Sequence, residues 1–345
     1  MDQNTTALRK HGEGEAHGQL PDTPPVPSAA AVAQSRRLGR LRIKLPDSVG
    51  LFVSNRLAVA GSIVLVFIVL ACVLAPLFRP YANTIVASVP SSLGPSWDYP
   101  FGTNQPGEDI FAQLLWGGRF SLTVAVLAGT FVTVLATAIG MTAGYIGGWL
   151  DDFLSMVMNV FLVVPQLVLL IIITSYAPAS ANNINGDAAK MVLVIGITGW
   201  AWGGRVLRAQ TMSLKNRDYV QAAKVAGEST RRIIFAEILP NMISLMANTF
   251  IMSALGAIIT EAGLEFLGLG DVGNVTWGVM LHQAQTGAAL SVGEWWDFTA
   301  PGLAIAVTAA ALMLVNNGID VISNPKLRTI RLRPAMRKQV AQVGL

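Results

Sequence analysis

The sequence contains little charge and almost no cysteine. Of its 345 residues, 13% are charged and 52% are hydrophobic, and the mean hydropathy is +0.53. A typical soluble domain carries about 25% charged residues, so a soluble chain of this length would lack the polar groups that cover a surface. The single cysteine, Cys72, excludes a disulfide framework and a cysteine-based metal cluster. The composition therefore favours a chain whose main solvent is lipid.

Sequence motifs for chemistry on nucleotides and metals are also missing. No glycine in the sequence is followed by lysine, which excludes a G-x4-G-K phosphate-binding loop. The histidines His11, His17 and His282 do not form a metal-ligand spacing. Asp151 and Asp152 are adjacent, but a charge at a helix amino terminus is a simpler interpretation than a catalytic pair. We therefore predict no catalytic residue, no metal site and no cofactor bound by this chain.

Long apolar runs dominate what the sequence does contain. A helix needs about 20 apolar residues to cross a bilayer, and six segments are candidates: 57–78, 121–146, 153–176, 191–204, 241–260 and 300–319. Pro165 predicts a kink in the third. The fourth is short, but Lys190 and Arg205 flank it and can extend it by reaching the membrane surface. The predicted fold is an all-α polytopic membrane protein with six transmembrane helices.

The basic residues indicate the orientation of these spans. With six spans, the N-terminal region, the connection after span four and the C-terminal tail lie on one side. They hold eight, seven and six Lys and Arg residues, so 21 of the 24 share that side. Both termini are therefore predicted to be cytoplasmic. The net charge of +4 then reflects topology, and nucleic acid is not favoured as a partner.

The two ends of the chain and the outer loops differ from the spans. Residues 1–50 are rich in Gly, Pro, Ala and charge and have no apolar period, which predicts a disordered cytoplasmic tail. Residues 326–345 are predicted to be a cytoplasmic C-terminal tail. The outer loop 266–299 has no Lys or Arg and contains three tryptophans. These are either interfacial anchors or part of a face that meets an outer partner.

The cytoplasmic segment 218–240, DYVQAAKVAGESTRRIIFAEILP, predicts a helix, a turn and a second short helix. Ala222, Ala223, Ala226 and Gly227 recur at spacings of three and four, which puts small residues on one face. Such a face lets another backbone approach closely, whereas a large apolar face is typical of a helix on a membrane surface. Gly227 can end the first helix. The alternative is an ordinary amphipathic linker.

This segment resembles the EAA loop of the permease subunits of ATP-binding-cassette (ABC) importers, where the helix docks into a cleft of a cytoplasmic ATPase. The usual first Glu of that motif is Gln221 here, and Glu237 stands where close relatives often have His. The resemblance implies that the residues matching the motif couple the chain to the ATPase: Gln221, Ala222, Ala223, Gly227, Leu239 and Pro240.

Other segments resemble the dipeptide, oligopeptide and nickel branch of this family. They are PFGTNQPGEDI at 100–110 with WGGRFSL at 116–122, EFLGLG at 265–270 with WG at 277–278, and APGLA at 300–304. The run 56–80 resembles the extra first span of the C-type subunit of that branch.

The resemblance implies a type I ABC importer permease fold and divides the chain accordingly. Residues 51–120 would form the first transmembrane helix and an outer loop. Residues 121–325 would form the core permease domain, which contains the coupling loop 205–240.

The resemblance also implies a function and a set of partners. The chain would be a multi-pass protein of the inner or plasma membrane, not itself an enzyme, that forms half of a path for di- or oligopeptides. Its partners would be a second permease subunit, cytoplasmic ATPase subunits that bind ATP and Mg²⁺, an extracellular substrate-binding protein and the lipid membrane. Nickel or another small solute is the alternative cargo. A self-contained secondary transporter or a membrane scaffold is the alternative class, although internal repeats or mid-membrane ionisable groups would be more typical of it.

Four polar residues in or near the spans are candidates for the substrate path. Glu261 and Glu265 lie at the outer end of span five, where one could meet the amino group of a peptide. The alternative for both is a structural role, such as pairing with a neighbour or capping a helix. Asn159 and Asn248 lie within spans and either line the path or bond across helices.

Overall fold

The computed structural model describes residues 52–176, 184–270 and 273–323. The described chain is helical, and the predicted tails 1–50 and 326–345 lie outside it. The main helices are α1 (Arg56–Val73), α2 (Ile110–Ile146), α3 (Gly148–Val163), α4 (Gln166–Tyr176), α5 (Ile184–Lys215), α6 (Asp218–Val225), α7 (Leu239–Leu264), α8 (Trp277–Thr286) and α9 (Trp295–Ser323). Shorter helical turns lie between them at Ala75–Phe78, Tyr81–Thr84, Thr230–Arg232, Ile233–Ile238, Glu265–Leu269 and Ala289–Val292.

The described residues confirm the predicted all-helical membrane fold but not the count of six spans. Four helical stretches are long and apolar enough to cross a membrane, or five if α3 and α4 form one bent span. The predicted fourth span, 191–204, lies within α5, which is helical but does not meet that criterion. Glycines, tryptophans and the flanking Lys190 and Arg205 lower the apolar content of this stretch.

The kink predicted at Pro165 is present. The axes of α3 and α4 differ by 86° across a short break that contains this residue. Proline has no N–H to donate and its ring clashes with the preceding turn, so a helix ends or bends there. The third predicted span is therefore a broken helix.

The main helices begin and end at residues suited to those positions. The side chain of Asn55 accepts hydrogen bonds from the N–H groups of Leu57 and Ala58 at the start of α1. Asp109 does the same for Phe111 and Ala112 at the start of α2. These contacts satisfy donors that have no partner within the helix. Gly147, with φ of +76°, ends α2 in a conformation that glycine adopts at little cost.

Helix α2 is the centre of the bundle because its glycines let other backbones approach. A Cβ at Gly140 would lie 2.5 Å from the carbonyl oxygen of Gly204, and one at Gly144 would lie 2.6 Å from that of Arg208. Contacts thus advance along α2 and α5 in the same direction, so the two helices run parallel. The second and fourth crossings of a bilayer by one chain run in the same direction. Because α2 contains the second predicted span, its parallel packing with α5 is the geometry expected if α5 is the fourth.

The other long helices run antiparallel to their neighbours. Gly129 of α2 approaches Ala254 of α7, whereas Ser121, earlier in α2, bonds Glu261, later in α7. Gly318 of α9 approaches Ala58 at the start of α1. Alternating directions agree with successive crossings of one bilayer.

We expect replacement of Gly140 by alanine to destabilise the protein. The added methyl group would meet the backbone of α5, and overpacking of this kind costs roughly 1–3 kcal/mol. Gly302→Ala is the matched control, since a Cβ there meets no atom within 4 Å. The midpoint of thermal unfolding of the detergent-purified chain should fall for Gly140→Ala and stay unchanged for Gly302→Ala. Equal midpoints for the two variants would contradict the close packing of α2 on α5.

Candidate functional site

The segment predicted to be a helix, a turn and a second short helix has that structure. Helix α6 ends at Val225, and Gly227 follows with φ of +79°, the left-handed conformation that glycine adopts readily. The Ser229 side chain then caps the turn Thr230–Arg232. A wide helical turn, Ile233–Ile238, continues directly into α7. The segment is therefore a rigid extension of a long helix and not a loose linker.

Helix α6 is held by one buried side chain. Val220 is fully buried, in a cluster with Tyr145 at the end of α2 and with Ile233, Ile238 and Met242 of the returning chain. Full burial of a valine contributes about 1.5–3 kcal/mol. Helix α6 packs directly on the turn Ile233–Ile238 and on the end of α5, and the cluster around Val220 extends from there to residues of α2 and α7.

Two lysines complete the attachment of α6. The ammonium groups of Lys215, at the end of α5, and Lys224, in α6, lie 5.7 Å and 5.6 Å from the centre of the Tyr145 ring. A cation within about 6 Å of an aromatic face is attracted by its quadrupole. The Gln221 amide also donates to the carbonyl oxygen of Lys215 at 2.8 Å. Thus α6 contacts the ends of α2 and α5 through polar as well as apolar groups.

The opposite side of α6 is exposed and apolar. We call this surface the outward face. It consists of Tyr219, Ala222 and Val225 of α6, of Ala226, which directly follows α6, and of Phe235. Val225 is 90% exposed and Phe235 is 67% exposed. On a helix of 3.6 residues per turn, these positions of α6 lie opposite Val220. Exposed apolar side chains that lie close together are typical of surfaces that bind other proteins.

The small residues predicted to share one face are divided between two. Ala222, Ala226 and Gly227 are exposed, but Ala223 is half-buried and packs against the cluster around Val220. Leu239 also packs against this cluster, and Pro240 is exposed in the first turn of α7. The spacing of three and four residues was too coarse to separate Ala223 from its neighbours.

A second feature is a cavity of about 290 Å³ beside α7. Residues from α2, α4 and α5 line its other sides, and its lining combines polar and apolar groups. The lining includes the side chains of Gln166, Trp202, Asn248, Ser253 and Thr260. Asn248 lines the cavity and also donates to Asp320 of α9 at 2.7 Å, so it bonds across helices, and its place in a substrate path stays a prediction.

The other predicted path residues do not line this cavity. Asn159 is exposed on α3 and lines a separate depression with Asp152 and Arg208. Glu261 and Glu265 are 0% and 3% exposed and point into packed protein between α7, α2 and α8. No described contact therefore brings the four predicted residues together, and contact of Asn159, Glu261 or Glu265 with a substrate stays a prediction.

An ion pair that the sequence analysis missed joins α3 to α5. Asp151 lies in the first turn of α3, as predicted, and it also accepts two hydrogen bonds from Arg208, at 2.5 Å and 2.7 Å. Two parallel hydrogen bonds between a guanidinium group and a carboxylate hold the two groups in one relative orientation. The partners are 57 positions apart, and local spacing does not reveal such a pair.

A second ion pair lies at the start of α2. Arg79 contacts Asp109 at 3.4 Å, and Asp109 caps α2. Burial raises the pKa of the Asp109 carboxyl, while the N–H group of Ala112 and the charge of Arg79 act in the opposite direction. Arg79 thus attaches the chain that follows α1 to the start of α2.

Comparisons with known proteins agree with this arrangement. Residues 136–329 match the family described as the binding-protein-dependent transport system inner membrane component. Residues 49–95 match the N-terminal TM domain of oligopeptide transport permease C. The dipeptide transport system permease protein DppC of Bacillus subtilis is 30% identical over 275 residues, which are 79% of this chain and 83% of that protein.

Two further relatives cover similar lengths. The oligopeptide transport system permease protein OppC of Bacillus subtilis is 30% identical over 304 residues, 88% of this chain and 96% of that protein. The protein of the same name from Mycobacterium tuberculosis is 31% identical over 281 residues, 81% of this chain and 94% of that protein. The similarity therefore includes α6, the outward face and the cavity beside α7.

We expect Val220→Ala to loosen α6 and Val225→Ala to leave it in place. The first variant removes two buried carbons and leaves a cavity, at a cost of about 2 kcal/mol. The second alters a side chain that is already in solvent. Limited trypsin digestion of the purified chain should cut faster at the basic residues of 205–240 in Val220→Ala alone. Equal cleavage of the two variants would contradict the attachment of α6 through Val220.

Proposed function

Because this chain belongs to the family of binding-protein-dependent transport system inner membrane components, we propose that it is a permease subunit of an ATP-driven importer of di- or oligopeptides. The observation that carries the mechanism is the outward face of α6, which is exposed on a helix whose buried Val220 belongs to a core cluster shared with α2 and α7. The chain is a multi-pass membrane protein. Its role in this proposal is to convert movement of a partner into access for a substrate.

The proposal assigns ATP hydrolysis to other subunits. In it, cytoplasmic ATPase subunits bind ATP and Mg²⁺, and this chain contributes no catalytic group and no cofactor site. The absence of a Gly-Lys pair from the sequence supports this division.

The outward face suits a docking helix. Ala222 and Ala226 are small enough to let a partner approach the α6 backbone, and Val225 and Phe235 offer apolar area at its edge. Apolar side chains that enter a pocket and exclude water supply most of the free energy of a protein interface. In the proposal, Gln221 does not pair with the ATPase through charge, because its side chain is a neutral amide, and this amide also donates to Lys215 within the chain.

Movement would pass from α6 to the spans through packed side chains. Val220 and Tyr145 connect α6 to α2, and Ile233–Ile238 continues into α7. Packed cores respond to a displacement as units, since they have few voids to absorb it. In the proposed mechanism, closure of the ATPases moves α6 as a rigid body, and the spans shift between outward and inward access.

The cavity beside α7 is the proposed half of the substrate path. Gln166, Asn248, Ser253 and Thr260 offer hydrogen-bonding groups, and Trp202 offers an aromatic surface. Peptides have both amide groups and varied side chains, so a mixed lining suits them. A second permease subunit would supply the facing half, and an extracellular binding protein would deliver the substrate.

The proposed orientation places α6 and both termini in the cytoplasm. Lys215, Arg217, Lys224, Arg231 and Arg232 lie around α6, and Lys and Arg are enriched in cytoplasmic connections. At the opposite end, the chain between α1 and α2 and the region of α8 would face outwards.

The cargo in this proposal is inferred from the names of the relatives. Those compared above are named for dipeptide or oligopeptide transport, so nickel is not the favoured cargo. The family also argues against the alternative of a self-contained secondary transporter.

Ala222→Trp and Ala226→Trp should each prevent docking of the ATPase. A bulky ring on the outward face would hold a partner away from the α6 backbone. Recovery of the ATPase with the affinity-purified chain should fall by about tenfold or more, which corresponds to about 1.4 kcal/mol. Ala82→Trp, also at an exposed alanine but in the segment Tyr81–Thr84, is the control. Ala223 is a poorer test site because it packs against the protein's own core. Recovery of as much ATPase with Ala222→Trp and Ala226→Trp as with the unmodified chain would contradict the docking role.

Ser253→Trp should block peptide uptake while the ATPase stays bound. The indole ring would fill a cavity of only about 290 Å³. Uptake of labelled di- and oligopeptides, and of nickel for comparison, would be measured in proteoliposomes that contain the whole transporter. Met313→Trp, at an exposed position of α9, is the control. Normal peptide uptake by Ser253→Trp would exclude this cavity from the path.

A further inference from the structure

Two carboxyl groups are buried side by side at the end of α7. Glu261 lies in the last turn of α7, and Glu265 follows one turn later in Glu265–Leu269. The two residues are four positions apart, the spacing that brings side chains together on one face of a helix, and they are 0% and 3% exposed. Buried carboxylates are costly unless they are paired or neutralised, so this pair needs a physical explanation.

Glu265 has the surroundings of a carboxylate. The hydroxyl group of Thr276 donates to its Oε2, and that hydroxyl group accepts in turn from the backbone N–H of Val279. Thr276 caps α8, so Glu265 lies at the amino-terminal end of that helix. Free N–H groups and the helix dipole both favour a negative charge there.

Glu261 has the surroundings of a neutral acid. Its Oε1 accepts a hydrogen bond from Ser121 of α2 at 2.8 Å. Its Oε2 is buried and accepts from no donor among the described residues. The neighbouring polar group is the Glu265 carboxyl. Two carboxylates have no donor between them, so a hydrogen bond joining them requires a proton.

No described basic group compensates a second negative charge. Arg119, on α2, stacks on the ring of Trp116 at 4.9 Å. His282, on α8, uses its Nδ1 to contact the carbonyl oxygen of Phe266 at 3.0 Å. Helix α4, which also packs against Glu265–Leu269, has no charged residue. Among the described residues, Glu261 therefore has the Glu265 carboxyl as its charged neighbour, and Glu265 has the Thr276 hydroxyl group as well.

We propose that Glu261 and Glu265 form a proton-binding site that holds one proton, bound to Oε2 of Glu261 and donated to the Glu265 carboxylate. This assignment gives every buried oxygen of the pair a partner. Ser121 donates to Glu261, Glu261 donates to Glu265, and Glu265 accepts from Thr276, the residue that caps α8. One proton thereby joins α2, α7 and α8.

Neither Glu261 nor Glu265 lines the cavity beside α7, which agrees with a structural role for the pair. The proton is a structural ligand that holds the start of α8 to the end of α7. Its loss would put two negative charges in one buried site, and their repulsion would separate α8 from α7. The inference concerns the chain itself and does not depend on transport.

Infrared difference spectroscopy of the full-length chain in lipid tests the proton directly. Wild-type protein minus Glu261→Gln, at neutral pH, should contain the C=O stretching band of a protonated carboxylic acid. Glu237→Gln, a substitution at the opposite end of the span, should leave this band in place. Ser121→Ala should shift the band to higher frequency because the carbonyl oxygen loses its donor. A wild-type band that persists in Glu261→Gln, or a carboxylate band lost there, would overturn the proposal.

A stability measurement distinguishes the acid from a carboxylate. Glutamine keeps both hydrogen bonds of a protonated Glu261, since its amide donates to Glu265 and its carbonyl oxygen accepts from Ser121. At neutral pH, Glu261→Gln should therefore have the wild-type midpoint of thermal unfolding. At alkaline pH the wild-type midpoint should fall as the proton is lost, whereas the midpoint of Glu261→Gln should not. Glu261→Leu should lower it by several degrees at every pH. An equal loss in the Gln and Leu variants would show that Glu261 acts as a charged group and would overturn the assignment.

Discussion

Close backbone contact along α2 is the constraint on which the rest of the arrangement depends. Lipid tails are as apolar as leucine, so helices within a membrane gain little from burying large side chains against each other. They associate where small residues allow many dispersion contacts, and Gly129, Gly140 and Gly144 provide such places. Because α5 and α7 pack on these glycines, α2 is fixed along much of its length. Its two ends are then fixed positions to which other elements attach.

Each end of α2 carries a different polar arrangement. At one end, Tyr145 contacts Val220 and the two lysines that hold α6. Towards the other, Ser121 bonds Glu261 and so connects α2 to the start of α8. In the proposed mechanism, a displacement of α6 enters at the first end, and the proton between Glu261 and Glu265 keeps the second end together. In this proposal, α2 connects the surface that meets the ATPase to the side of the membrane that faces outwards.

Much of the fold could be predicted from local pattern. Apolar runs located the long helices, Pro165 located the bend between α3 and α4, and Gly227 located the end of α6, because each effect acts within a few residues. The span 191–204 is the instructive case: it is helical and runs parallel to α2, yet glycine and flanking charge make it a weak candidate by composition. The site residues were less predictable. Ala223 shares its spacing with Ala222 but packs inwards, and Asp151 bonds Arg208, which is distant in the sequence.

The sequence by itself determined that the chain is a helical membrane protein, where its long apolar helices lie, and that residues 218–240 contain a helix, a turn and a second short helix. These properties depend on side-chain polarity and on backbone preferences within one helix. Only the tertiary structure decided which face of α6 is free, which polar groups line the cavity beside α7, and that Glu261 and Glu265 are buried together. Those properties depend on contacts between residues far apart in the chain, and local spacing does not specify which distant surface a side chain meets.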